Sequence, residues 1–217
     1  MSVGAGRTEL VSTLFGSAPG PSTGTISLRG TPIVVRSPRD AIAHGLALVT
    51  EDRRRFGFVP EFGFTANASL ASLDAVSRRG WLDIDAESLK AASSASELRL
   101  QAASLEQPVR TLSGGNQQKS VVAKWLATDP VVLMLDDPTR GIDVGAKADL
   151  YRLLAGLAQR GLAILFVSSE ASELVGMAHR VLVMSRGRIV AERKAGTTEE
   201  ELLHLASAAI APSAAAS

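Results

Sequence analysis

Two runs in this 217-residue chain carry residue types suited to holding phosphate, and they lie one helix apart: LSGGNQQK, Leu112 to Lys119, and VVLMLDDPTRGID, Val131 to Asp143. Ser113, Gly114 and Gly115 immediately precede a helical pattern in which Val121, Val122, Trp125 and Leu126 share one face. The free N–H groups at such a helix start carry partial positive charge. Two glycines let an anion approach without a Cβ in the way, so a serine hydroxyl and these amides suit a phosphate. Gln117 belongs to the same polar first turn and is counted with the binding group. In the second run, five apolar residues end on Asp136 and Asp137. Open α/β sheets place ligand-facing residues at the C-terminal ends of buried strands, so Asp136 is expected to hold Mg²⁺ through water. A third run, Gly4, Ala5, Gly6, Arg7 and Thr8, matches the second half of G-x-x-x-x-G-K-[ST], whose loop amides wrap phosphates. Arg7 stands in place of the lysine and Met1 in place of the first glycine. Arginine keeps the charge in a planar fork, and Thr8 offers a hydroxyl to Mg²⁺.

The elements that must position these residues alternate as in an α/β layer fold. A helix is expected over Arg7–Phe15, a strand over Gly24–Leu28, a short helix over Pro38–His44 and a strand over Leu46–Thr50. From Glu51 to Pro108 loop and helix dominate, with helices expected over Ala66–Val76 and Ala86–Gln101. Val131–Leu135 and Leu162–Val167 are near-continuous apolar runs, as in parallel strands buried on both faces, with a helix over Ala146–Gln159 between them. Val181–Met184 and Gly187–Ala191 form a hairpin-like pair, Thr198–Ala206 a last helix, and Ala208–Ser217 a disordered tail.

LSGGNQQK resembles the signature motif of ATP-binding cassette (ABC) ATPases, and its NQQK ending with DPTRGIDVGAK is similar to the second cassette of monosaccharide importers of the ribose, galactose and xylose type. The resemblance runs from Val3 to about Glu192. It implies a P-loop NTPase-like cassette at residues 1–207, with a mainly parallel core sheet, flanking helices and a helical signature subdomain at about 60–128. It also implies a partial cassette, because the strand feeding the phosphate loop, two further strands and an adenine-stacking aromatic are expected ahead of Met1. The activity implied is ATP hydrolysis with Mg²⁺, coupled to sugar import. Asp137 falls where the family usually has a glutamate that polarises the attacking water, Glu51 in the Q-loop where a glutamine senses Mg²⁺, and Ser169 where a switch histidine orients the γ-phosphate. Asp143 resembles the D-loop aspartate that crosses to the other cassette. The implied partners are a first cassette, transmembrane permease subunits and, indirectly, a sugar-binding protein.

Composition narrows the classes. With 46% hydrophobic and 21% charged residues and a net charge of +1, nothing suggests nucleic acid or acidic lipid as a partner. Arg53, Arg54 and Arg55 are expected to form a solvated cluster, and His44, His179 and His204 to be ordinary surface histidines. Zero cysteines exclude thiolate metal sites and fit a reducing cytoplasm, and no run approaches the roughly 20 apolar residues of a membrane span. The expected location is peripheral, on the cytoplasmic face of the bacterial membrane. Soluble ABC proteins of ribosomes or DNA carry long coiled-coil or basic inserts, absent between Gly6 and Leu112. The remaining alternative is a truncated, catalytically inert cassette with weak nucleotide binding.

Overall fold

In the computed structural model, which describes residues 5–208, three parallel strands carry the centre of the molecule. Helix α1 (Arg7–Leu14) opens the chain, followed by a hairpin of β1 (Ile26–Leu28) and β2 (Thr31–Ile33). That hairpin turns on Arg29 and Gly30, both at positive φ (52° and 79°), as a two-residue turn requires. Helix α2 (Pro38–Ala43) starts at Ser37, whose hydroxyl accepts from the Asp40 N–H at 3.2 Å, with Pro38 in the first helical position. Strand β3 (Leu46–Val49) follows, then a π-helical turn over Arg53–Gly57.

A mostly helical layer comes next: α3 (Phe64–Ser69), a small hairpin of β4 (Ser77–Arg78) and β5 (Trp81–Leu82), α4 (Ile84–Glu97) and α5 (Gly114–Leu126). The chain then returns to the sheet with β6 (Val132–Asp136), α6 (Val144–Gln159), β7 (Ala163–Val167) and α7 (Ala171–Met177). It finishes in β8 (Arg180–Ser185), β9 (Arg188–Lys194) and α8 (Glu199–Ala208). Of the expected tail, Ala208 ends α8, and residues 209–217 lie outside the described residues.

The two-residue period of the strands divides the core. Leu46 and Leu48 of β3 and Met134 of β6 face Val11 and Phe15 near α1 and Ala41 of α2. Ala47, Val49, Leu133 and Leu135 face the opposite way, against Val121 and Val122 of α5 and Leu150, Leu154 and Leu157 of α6. This second cluster continues into Phe64 and Ala68 of α3 and Ala91 and Ala95 of α4, so the helical layer shares its apolar core with the sheet.

Strand order is β3-β6-β7, with Val49 opposite Leu135 and Asp136 opposite Val167. This register makes the chain leave β6 and β7 side by side, at Asp137 and Ser168. Strand β7 is half-buried rather than covered on both faces: among the described residues it pairs only with β6, and β8 and β9 form their own antiparallel sheet. The expected 66–76 helix begins earlier and stops at Ser69, since the backbone leaves the helical conformation at Ser72 (φ −139°). A 3-10 turn, Leu73–Val76, follows instead.

Candidate functional site

The β6–β7 register gathers one group of expected site residues. Gly6, at φ 86°, begins α1, and a Cβ there would lie 2.8 Å from the Cα of Gly187, so glycine is required on both conformational and steric grounds. Ala5 accepts a hydrogen bond from the Gly187 N–H at 3.0 Å, and Gly4 lies outside the described residues. The Arg7 guanidinium donates to the Ser168 carbonyl at 3.0 Å. Thr8 hydrogen-bonds the buried Asp136 carboxylate, whose Oδ1 has no hydrogen-bond partner. Burial pushes the Asp136 carboxyl above its ordinary value, against the Thr8 hydrogen bond and the Arg7 charge. An orphaned carboxylate oxygen beside a threonine hydroxyl is a hard-oxygen pair that would suit Mg²⁺.

Asp137 and Ser169 meet directly. The Asp137 N–H donates to the Val167 carbonyl at 2.9 Å, and its Oδ1 accepts from the Ser169 N–H at 2.5 Å. Asp137 holds φ at 40°, a left-handed conformation uncommon for a residue with a Cβ. One of its two carboxylate oxygens is thereby committed to the backbone of the neighbouring loop.

The second group collects at the start of α5. The exposed Ser113 caps this helix, accepting from the Asn116 N–H at 3.4 Å and from its side-chain amide at 3.0 Å. Gly115 packs on α6: a Cβ there would lie 2.6 Å from the Cβ of Ala146. Asp143 caps α6, its Oδ1 accepting from the Ala146 N–H at 2.9 Å. Gln117 departs from expectation. It is buried, and its amide donates to the carbonyls of Arg110 and Leu112, so it braces the loop before the signature instead of facing a phosphate.

Glu51 also stands apart from the Asp136 group: its carboxylate pairs with the Arg140 guanidinium. Nor are the three arginines a uniformly solvated cluster, since Arg54 and Arg55 are exposed and Arg53 is buried. His179 and His204 are exposed and His44 is half-buried.

Sequence reasoning missed a buried carboxylate that ties these segments together. Glu173 of α7 accepts from Thr139 (2.7 Å), Tyr151 (2.7 Å), Ser168 (2.6 Å) and Lys147 (3.0 Å). Burial alone would raise its carboxyl, but the hydrogen bonds from Ser168, Tyr151, Thr139 and Lys147 outweigh that and hold it below the ordinary glutamate value. Burial, followed by the hydrogen bond to Glu173, pushes the Tyr151 hydroxyl well above its ordinary value. The partners are 5 to 34 positions away, so no local pattern announces the cluster; an acidic residue among the apolar positions of a short helix is the only sequence trace.

A parallel sheet whose strand ends offer a carboxylate beside a glycine loop, with a serine-capped helix packed against it, defines an ATP-binding cassette. The fold is shared with a nucleotide-free cassette from an ABC transporter (TM-score 0.75, 17% identity, 95% of this chain and 81% of that one). It is also shared with a dimeric cassette in a post-hydrolysis state bound to ADP and Pi (TM-score 0.72, 18% identity, 89% of this chain and 82% of that one). The ABC transporter family profile matches residues 2–140, and the chain belongs to that family. The xylose import ATP-binding protein XylG of Burkholderia cenocepacia is 48% identical over 202 residues, 93% of this chain and 39% of that protein. The ribose import ATP-binding protein RbsA of Rhodopirellula baltica is 46% identical over 205 residues, 94% of this chain and 40% of that protein. The chain thus spans about two fifths of the length of these relatives. Among the described residues, no helix is long and apolar enough to cross a membrane.

Proposed function

We propose that the chain is the C-terminal ATPase cassette of a bacterial monosaccharide importer, working at the cytoplasmic face of the membrane with a first cassette and permease subunits that receive sugar from a binding protein. The observation that supports this reading is the gathering of the expected site residues into two groups at opposite ends of the 136–143 segment. One comprises Thr8, Asp136, Asp137 and Ser169, and the other comprises Ser113, Gly114, Gly115 and Asp143. In this reading the first group, with Gly4 to Arg7, binds this chain's own ATP, and the second completes an ATP site on the first cassette.

The chain's own site holds nucleotide better than it hydrolyses it. Asp137 is one methylene shorter than glutamate and has Oδ1 engaged by Ser169, Arg7 is drawn to the Ser168 carbonyl, and Glu51 is drawn to Arg140. A reach error near 1 Å costs on the order of a hundredfold in rate. Mg²⁺, when bound at Thr8 and Asp136, neutralises charge on the phosphate oxygens. At the other site the exposed Ser113 hydroxyl and the α5 N-terminus stabilise the transferring phosphate.

The test uses the chain joined in frame to a first cassette and assembled with permease subunits in liposomes, reading ATP hydrolysis and labelled-sugar uptake. Gly114→Asp, which sets a carboxylate at that N-terminus, is expected to stop both, with Ser113→Ala milder and Asp137→Asn mildest. Near wild-type activity in Gly114→Asp would show that this signature meets no working site, and would favour the inert cassette.

A further inference from the structure

The π-helical turn Arg53–Gly57 is wedged between the signature helix and the loop that precedes α6. Its far end is seated on α5: Lys124 Nζ donates to the Gly57 carbonyl at 2.5 Å, and a Cβ on Gly57 would lie 2.8 Å from Val121 Cγ2 and 3.0 Å from Arg53 Cβ. Its near end carries Arg53, 8% exposed, whose guanidinium donates to two successive carbonyls, Arg140 at 2.6 Å and Gly141 at 3.0 Å. Gly141, at φ 69°, turns the backbone at that point, and a Cβ on Gly114 would sit 3.0 Å from the Gly141 oxygen and 3.1 Å from the Arg53 guanidinium. One guanidinium, one loop and the first residue of the signature helix therefore converge. Two residues before Arg53, Glu51 grips the Arg140 side chain, so residues 51–53 hold Arg140 by its side chain and its carbonyl together.

Stability alone does not call for this arrangement. Burying a guanidinium is costly, Arg53 Nε is left without a partner, and a well-packed apolar side chain would fill the same space with no unmet hydrogen bond. What an apolar residue cannot do is donate to two adjacent carbonyls at once, which the guanidinium fork does. Those carbonyls lie two and three residues before Asp143, on the loop facing Ser113 and Gly114 in the second phosphate group.

We infer that Arg53 is a positioning residue for the ATP site this chain completes on its partner cassette, pinning the 140–143 loop to the signature helix so that Ser113 and Asp143 are presented at one spacing. The inference rests on the function proposed above. It gives Glu51 a role in holding Arg140 in place of sensing Mg²⁺.

The test uses the same liposome assembly. Arg53→Leu is expected to lower kcat for sugar-stimulated ATP hydrolysis about 100-fold while KM for ATP stays within about twofold, because loop placement changes and the partner's phosphate loop does not. Arg53→Lys is expected between Leu and wild type, since an ammonium keeps the charge but not the two-carbonyl fork. Hydrogen exchange at the amides of residues 114–116 and 141–143 should quicken in Arg53→Leu and less in Arg53→Lys. A folded Arg53→Leu protein with wild-type kcat would overturn the inference, as would a kcat loss that merely tracks the folded fraction. If Arg53→Leu does not fold, Arg53→Lys decides, and full activity with unchanged exchange there would overturn it. A wild-type assembly that hydrolyses no ATP would instead refute the proposed function.

Discussion

Replacing Glu173 with alanine should be among the most damaging single changes in the chain, and the structure sets its size. Glu173 is 6% exposed, and its carboxylate accepts from four side chains on three different segments: Thr139 after β6, Lys147 and Tyr151 on α6, and Ser168 after β7. Hydrogen bonds to a charged group contribute about 1.5–3 kcal/mol each when measured singly, but these share one acceptor group and cannot be summed. Removing one partner of a buried charged cluster costs about 3–5 kcal/mol, which is the loss expected for Glu173→Ala. Glu173→Gln keeps the volume but offers one acceptor oxygen and turns an N–H₂ toward donors, so about 2 kcal/mol is expected.

The measurement is urea unfolding at pH 7, comparing midpoints at constant m. Acid adds an independent check. A carboxylate held below its ordinary value contributes stability that is present above that value of 4.5 and is lost as pH falls through the native one. Wild type should therefore lose stability more steeply below pH 4.5 than Glu173→Gln does. A Glu173→Ala protein within 1 kcal/mol of wild type, or identical acid profiles, would refute the idea that this carboxylate ties the three segments together.

Lys124 is titrated by its surroundings in the opposite sense. Burial lowers its pKa from 10.5 to about 8, so between those values the unfolded chain binds a proton that the native chain has released. Stability should rise from pH 8 toward pH 10 by an amount on the order of 2 kcal/mol, and Lys124→Met should flatten that rise in urea unfolding. Gly115→Ala should destabilise by about 1–3 kcal/mol despite the better helix propensity of alanine, because the new Cβ would lie 2.6 Å from Ala146 Cβ. Adding Ala146→Gly should recover part of that loss, and strict additivity in the same assay would show that the two positions do not compete for space.

The sheet was legible because its strands are continuous apolar runs: β3, β6 and β7 fall within a residue of the expected Leu46–Thr50, Val131–Leu135 and Leu162–Val167. The positions of Asp136 at the end of β6 and of Ser113 at the start of α5 were legible for a related reason, since carboxylates, serines and glycines bordering such apolar runs mark element ends. The helical layer was less so. Alanine and serine from residue 66 onward suggest one helix, and the hairpin at Arg79 and Gly80 depends on two consecutive positive φ values (52° and 84°) that no residue periodicity encodes. Helix α7 escaped notice because seven residues give barely two turns of pattern. Contacts escaped most completely. That Arg53 is buried while Arg54 and Arg55 are exposed follows from carbonyls 87 and 88 positions away, and Gln117 turns inward to meet carbonyls that periodicity alone would not assign to it.

The absent Cβ of Gly115 has an electrical consequence as well as a steric one. It lets the first turn of α5 lie against the first turn of α6, so two helices meet at their starts rather than head to tail. Each start carries a partial charge of about +0.5, and two side by side approach one elementary charge made of backbone alone, with no lysine or arginine in either first turn before Lys147 and Lys119. Like ends repel, and the Asp143 carboxylate at the seam offsets part of that repulsion. Neutralising it in Asp143→Asn would leave the cap geometry nearly intact while making this face more positive. Field and shape can therefore be separated here by exchanging a single oxygen for nitrogen.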